Sequence, residues 1–297
     1  MSNYRSAVRA GSWYEGRKGT LEQQLEWSFL HKLGPGSSPS KNRDIIKQEK
    51  QEVLGIVSPH AGYACSAPIA AHGMFELLKG GPADTFIIIG PNHTGWGSAI
   101  SVYPPGKWET PLGDVEIDKE VAQALIELEL PLHSPEFDTN AHAQEHSIEL
   151  QVPFLQHVFK DQEFKIVTVC LMDQSLENCT ALGQGLARVI KDFRERGKII
   201  KIVASSDFTH FESDEQARDK DLDVINNGIL KLDPAITAEI VKKRKVSICG
   251  PGGVIALLSA AKELGYTKTE LLKYSSSGHT CGDTRSVVGY ASISIKK

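Results

Sequence analysis

The sequence predicts an α/β fold, a single domain over residues 1–297 with a mostly parallel central sheet, helices on both faces and a short antiparallel excursion. Two observations carry this expectation. Short apolar runs rich in β-branched residues alternate with stretches of helical periodicity, and the best of those runs end in polar loops that carry histidine. Such alternation implies parallel strands joined by helical crossovers.

Each element has a local reason. Leu21, Leu25 and Phe29 recur at i+4 spacing and predict an amphipathic helix. Gly34 to Ser40 is rich in Gly, Pro and Ser and predicts a surface loop. A strand is expected at 53–57, a helix at 66–79, and at 85–89 a strand buried on both faces. Turn signals between short alternating runs mark 99–118 as the antiparallel excursion. Helices are expected at 119–128 and 145–159, then strand 165–171, helix 176–196 and strand 199–204. Helices at 214–232, 234–244 and 251–264 follow, and strands 270–274 and 287–295 close the chain.

Composition excludes several classes. With 33 Lys and Arg against 37 Asp and Glu, the net charge is −4, and no basic block is present, which argues against nucleic acid and anionic membrane as partners. The longest apolar runs are strand-sized, far short of the ~20 residues that span a bilayer. The first eleven residues lack the apolar core of a secretory signal. The five scattered cysteines, Cys65, Cys170, Cys179, Cys249 and Cys281, are expected as reduced thiols in a cytoplasmic protein.

The unusual chemistry follows the strands. Ser58-Pro-His60-Ala-Gly-Tyr63 comes after the first, Gly90-Pro-Asn-His93 after the next, and Ser205-Ser-Asp207-Phe-Thr-His210 after the run at 199–204. In an open α/β sheet such loops converge at the carboxyl ends of the strands, where ligands bind. Cys249 precedes Pro251 at an expected helix start, where the helix dipole should favour the thiolate; the blander reading is a small buried hydrophobe. His60, His93 and Cys249 together would make a three-ligand set with open positions, suited to Fe, Cu or Zn and poorly to Mg or Ca.

Other signals are weaker. His142-Ala-Gln-Glu145-His146 matches the inverted zincin string, which would make a zinc hydrolase, although His142 falls at a frayed helix start. His146 with Glu149 on that helix reads better as a supporting or substrate-facing pair. His279-Thr-Cys281 is too tightly spaced for an ordinary site, and His31, His72, His133 and His157 are expected to be solvated. No phosphate-binding glycine loop is present, so nucleotide binding has no support.

Taken in order, Ala10-Gly-Ser-Trp-Tyr14, Pro59-His-Ala-Gly-Tyr63, Gly90-Pro-Asn-His93, Glu145-His-Ser-Ile-Glu149, Ser205-Ser-Asp-Phe208 with His210, and Ile248-Cys-Gly250 resemble the Memo family. Its prokaryotic branch is also called AmmeMemoRadiSam system protein B, and the family resembles class III extradiol dioxygenases of the LigB type. The resemblance implies a LigB/Memo-like fold with His60, His93 and Cys249 as metal ligands. It also implies Asp207 and His210 as a polar pair lining the same pocket, with His210 corresponding to the dioxygenase acid/base histidine. On the residues' own chemistry Asp207 is expected to orient a catalytic His210, and Tyr63, His146 and Glu149 to be pocket residues. The resemblance departs from the dioxygenases in placing Cys249 where they use a carboxylate, which moves the expectation from ring cleavage toward redox chemistry on one Fe or Cu ion, zinc being admissible. The substrate would be a small molecule or a peptide, with protein partners drawn from the AmmeMemoRadiSam system. The rival readings are a non-catalytic ligand- or peptide-binding module that reuses the pocket, and a zinc hydrolase.

Overall fold

The computed structural model describes residues 3–39 and 52–297. The chain runs β1 (Asn3–Arg5), α1 (Lys18–Leu30), β2 (Val53–Ser58), α2 (Tyr63–Lys79), β3 (Thr85–Pro91), β4 (Ile100–Val102), β5 (Gly106–Trp108) and β6 (Val115–Glu116). It continues through α3 (Lys119–Ile126), β7 (Glu136–Phe137), α4 (Asn140–Ala143), α5 (Val152–Val158), β8 (Lys165–Leu171), α6 (Leu176–Glu195), β9 (Ile200–Ser205) and β10 (His210–Glu212). It ends with α7 (Asp214–Asn227), α8 (Pro234–Arg244), α9 (Pro251–Glu263), β11 (Lys268–Ser276), α10 (Ser277–Cys281) and β12 (Val287–Lys296). The loop expected at 34–40 is described through Pro39 and contains turns; Ser40 lies outside the described residues.

The main sheet has the order β10-β12-β2-β9-β3-β8-β4-β7, with β11 also paired to β12. Its centre, β2-β9-β3-β8, is wholly parallel, while β12 joins β2 and β4 joins β8 in antiparallel register. All seven residues of β3 are buried, as its run of Phe86, Ile87, Ile88 and Ile89 predicts for a strand covered on both sides. The two covering layers can be assigned from adjacent residues of β2. A Cβ built on Gly73 of α2 would meet Ile56, and one built on Gly55 would meet Leu257 of α9. Successive strand residues face opposite ways, so α2 and α9 cover opposite faces. Helices α1 and α5 pack beside α2, and α3 and α6 lie on the α9 side. A second, three-stranded sheet, β1-β5-β6, contains the β5–β6 hairpin of the excursion.

Four expectations are corrected. The helix over 145–159 is instead a turn, a 3-10 segment Glu149–Gln151 and the shorter α5, because the Glu145 carboxylate captures the N–H groups of His146 and Ser147. The helix at 214–232 stops at Asn227 and continues as a 3-10 turn over Ile229–Lys231. The cysteines are not all reduced: Cys65 and Cys281 are joined, with Cα atoms 5.6 Å apart, and Cys281 ends the short helix α10. Cys170, Cys179 and Cys249 are free. Two histidines expected in solvent are packed as well: His72 bonds the Leu33 carbonyl, and His157 stacks on Phe29. Among the described residues no helix is long and apolar enough to cross a membrane.

Arg5 of β1 ties the small sheet to the segment that follows α4. Only 3% exposed, it pairs with Glu149 at 2.5 Å, donates to the carbonyls of His142 and Glu145, and lies over the Trp108 ring. Arg5→Met should cost about 3–5 kcal/mol, since Glu149 is left as a buried, uncompensated charge. Arg5→Met with Glu149→Leu should recover part of that loss. Urea denaturation reads both, and a single-variant loss below about 1 kcal/mol would contradict the assignment.

Candidate metal centre

Strands β2, β3 and β9 end at one edge of the sheet, and each releases a loop there. His60 leaves β2 and is 2% exposed. Its backbone N–H donates to Asp207 Oδ1 at 2.8 Å, and its Nδ1 lies 2.9 Å from Ser205 Oγ. The Ser205 hydroxyl gives its own hydrogen to the Ser147 carbonyl at 2.6 Å and accepts another from Gln151. It therefore accepts from His60 Nδ1–H, which leaves the lone pair on Nε2. Burial, with His146 and His93 nearby, lowers the His60 pKa well below the ordinary value, so the ring stays neutral.

His93 leaves β3 and is fixed in the same way from another direction. Its N–H and Nδ1 bond the two oxygens of Glu145 at 2.6 and 2.8 Å. A carboxylate only accepts, so His93 also carries hydrogen on Nδ1 and directs a bare Nε2 away from Glu145. Burial disfavours the Glu145 charge, but the bond from His93 and the Ser147 N–H outweigh it and hold the carboxyl at about 2. Gly90 permits this contact: a side chain there would strike Ser147 and Ile148, which must lie against the end of β3.

Cys249 enters from the loop before α9. Its Sγ lies 3.2 Å from His60 Nε2 and 3.2 Å from the Asp207 amide nitrogen, which donates to it. Gly250 lets this loop approach β9, since a Cβ there would meet the Ser205 carbonyl. Gln174, after β8, anchors the other side by donating to the Cys249 carbonyl and accepting from Gly252 N–H. Donor atoms of His60, His93 and Cys249 all lie within 4.8 Å of one another.

The expectation that the helix dipole would favour the Cys249 thiolate is corrected. Burial, reinforced by the Asp207 charge, pushes this thiol well up, so its place before the helix does not by itself favour the thiolate. Asp207 does not orient His210 either. It accepts from His60 and Ala61, and burial raises its carboxyl to about 6 against those bonds. His210 is held by Ser247, whose hydroxyl accepts from the His210 N–H and whose carbonyl accepts from Nδ1 at 3.0 Å. Its Nε2 is thereby left as the acceptor.

The remaining sequence candidates separate clearly. His146 stacks on His93 at 4.4 Å between ring centres and meets His60 edge-on at 5.4 Å, with Trp13 covering it. Burial lowers its pKa to about 4. Glu149 points the other way, to Arg5 and to the Tyr14 hydroxyl, so it does not pair with His146. Tyr63 is fully buried with its hydroxyl on the Leu150 carbonyl, forming the wall behind the loop. His142 is buried among Tyr103 and Trp108, so the two histidines of the inverted zincin string do not share a helix face. Sequence reasoning missed Ser205, Ser247 and the bond that His93 donates to Glu145. The Ser205-Ser-Asp207 run at a strand end was a signal for the first; nothing local marks Ser247.

Comparison with known proteins identifies the family and the fold. Residues 5–294 match the family described as Memo-like protein. A MEMO1 family protein of Sulfurisphaera tokodaii is 42% identical over 96% of each chain, and one of Methanopyrus kandleri is 42% identical over 99% of each. An uncharacterized protein of Escherichia coli K12 shares the fold with a TM-score of 0.51 and 15% identity, over 82% of this chain and 99% of its own. The chain belongs to the Memo family, and its fold is the Memo-like α/β fold.

Glu145 also gives a pH signature. Its carboxyl lies at about 2 in the fold against an ordinary 4.5, so its stabilisation is complete above 4.5 and disappears as the pH falls toward 2. The loss should be about 3 kcal/mol. Urea denaturation between pH 5 and about 2 should show this slope in the native protein and not in Glu145→Gln; equal slopes would contradict the buried carboxylate.

Proposed function

From a Memo-family fold that brings two imidazoles and a thiol to one strand edge, we propose a metal-dependent redox protein that holds one Fe or Cu ion on His60 Nε2, His93 Nε2 and Cys249 Sγ. The carrying observation is the 3.2 Å between Cys249 Sγ and His60 Nε2, with the lone pairs of both imidazoles already selected. His60, His93 and Cys249 would together hold such an ion, their donor atoms lying within 4.8 Å of one another. Such an ion would supply one-electron chemistry at a site with open positions. The chain's own groups do the rest. Glu145 and Ser205 keep the imidazoles in their ligating tautomers, and the Asp207 amide steadies the sulfur. His210, with Nε2 free and its ring set by Ser247, would exchange a proton with a bound small molecule or peptide, while Asp207 holds the His60 backbone in place.

The donor set favours this reading over a zinc hydrolase. The inverted-zincin form of a hydrolase would need Glu145 free to take a proton from water. Both oxygens of Glu145 are occupied by N–H donors, and Asp207 Oδ1 is held by His60. The non-catalytic module remains the rival, and turnover decides between them.

His60→Ala, His93→Ala and Cys249→Ala should each lower metal content at least tenfold in protein purified anaerobically without a tag, while His210→Ala keeps most of it. Elemental analysis reads this, and full occupancy in any two of the three ligand variants would sink the assignment. Cys249→Asp or Cys249→Glu should shift preference from Cu(I) toward Fe(II), because oxygen donors are harder than sulfur. Competition against chelators of known affinity measures the shift; an unchanged preference in a variant that still binds would remove sulfur from the ligand set.

A further inference from the structure

The Cys65–Cys281 link joins the two sides of the site. Cys65 lies in the first turn of α2, five residues after His60, and Cys281 ends α10 at the surface. Residues 281–286 are all exposed and lead into β12, whose first residues pair with β10: His210 with Val288 and Glu212 with Val287. β11 and β12 form a hairpin with α10 in its turn, and that turn is pinned further by Ser277, which accepts from the Val288 N–H, and by the Thr284 carbonyl, which accepts from the Asp214 N–H. One covalent bond, spanning 216 residues of sequence, thus ties the helix that follows His60 to the hairpin that supports His210.

We propose that Cys65–Cys281 is a thiol–disulfide exchange site, read by a dithiol reductant, whose state sets how firmly the His210 strand is held against the rest of the pocket. Two independent features suit it to exchange. Cys281 is solvent-exposed, so an incoming thiolate can reach its sulfur. Cys65 is the leaving sulfur, and its place in the first turn of the 17-residue helix α2 stabilises the departing thiolate. The thiolate of the dithiol forms a bond to Cys281 Sγ as the Cys65–Cys281 bond breaks and its electron pair departs on Cys65, which takes a proton. The second thiol of the reductant then attacks its own mixed disulfide and frees Cys281. The protein gains two electrons and two protons, and the dithiol becomes a cyclic disulfide. Cys170 and Cys179 are buried and take no part.

The inference uses the functional reading only to say that His210 faces the pocket, and its test needs no metal. Full-length protein equilibrated with oxidised glutathione should show three alkylatable thiols after denaturation, and five after dithiothreitol. Native hydrogen exchange should then be at least tenfold faster in the reduced form over 208–212 and 277–288, with the central strands unchanged. Cys281→Ser should show the fast pattern in both buffers; if it does not fold, the reduced native chain supplies the same comparison. Five thiols in the oxidised sample would overturn the link. A melting shift with unchanged local exchange would make the bond a global staple and overturn the coupling to His210. If exchange responds as stated in a protein that binds no metal, the tether stands and the metal assignment falls separately.

Discussion

The buried Glu145 carboxylate organises the pocket. It accepts four N–H groups, from the backbone of His93, His146 and Ser147 and from the His93 ring. A charge without access to water persists only when its lone pairs are filled in this way. Filling them bends the chain after α4, seats Ser147 against Pro91 and selects the tautomer of His93. The Ser147 carbonyl then takes the Ser205 hydroxyl hydrogen, which selects the tautomer of His60. One carboxylate thus controls both imidazoles, although neither of its oxygens faces the pocket as a free base.

The parallel sheet makes this convergence possible. Because β2, β9 and β3 run side by side in the same direction, their loops leave at one edge and need few residues to meet. The opposite layers, α2 and α9, contribute differently. Helix α2 continues from the His60 loop, whereas α9 begins two residues after Cys249 and carries the sulfur in from the other face. Arg5 braces the loop from outside by holding the carbonyls of His142 and Glu145 and the carboxylate of Glu149. The donor geometry is therefore set by groups that never touch the ligand position.

Much of this was legible in the chain. Thr85 to Ile89 announces a doubly covered strand by its unbroken β-branched and aromatic run, and His60, His93 and His210 declare themselves by following strands. The segment from Glu145 to Phe159 misleads because its apolar spacing fits a helix, while the Glu145 side chain claims the N–H groups that a helix would leave for its own capping. The role of Ser247 and the Cys65–Cys281 bond are not legible, since each depends on partners brought together from 37 and 216 residues away. Glu149 was placed in the pocket by its nearness to His146 in sequence, and the turn at Glu145 sends it to Arg5 instead.

The central claim is that two imidazole nitrogens and one sulfur are already arranged to hold a single ion. X-ray absorption at the metal edge of anaerobically loaded full-length protein tests it most directly. The arrangement predicts one sulfur scatterer at about 2.3 Å and at least two nitrogen scatterers at about 2.0–2.1 Å, with imidazole outer-shell features. The sulfur shell should vanish in Cys249→Ala. A first shell of light atoms alone in the native protein would contradict the account and leave Cys249 a half-buried thiol beside a different site.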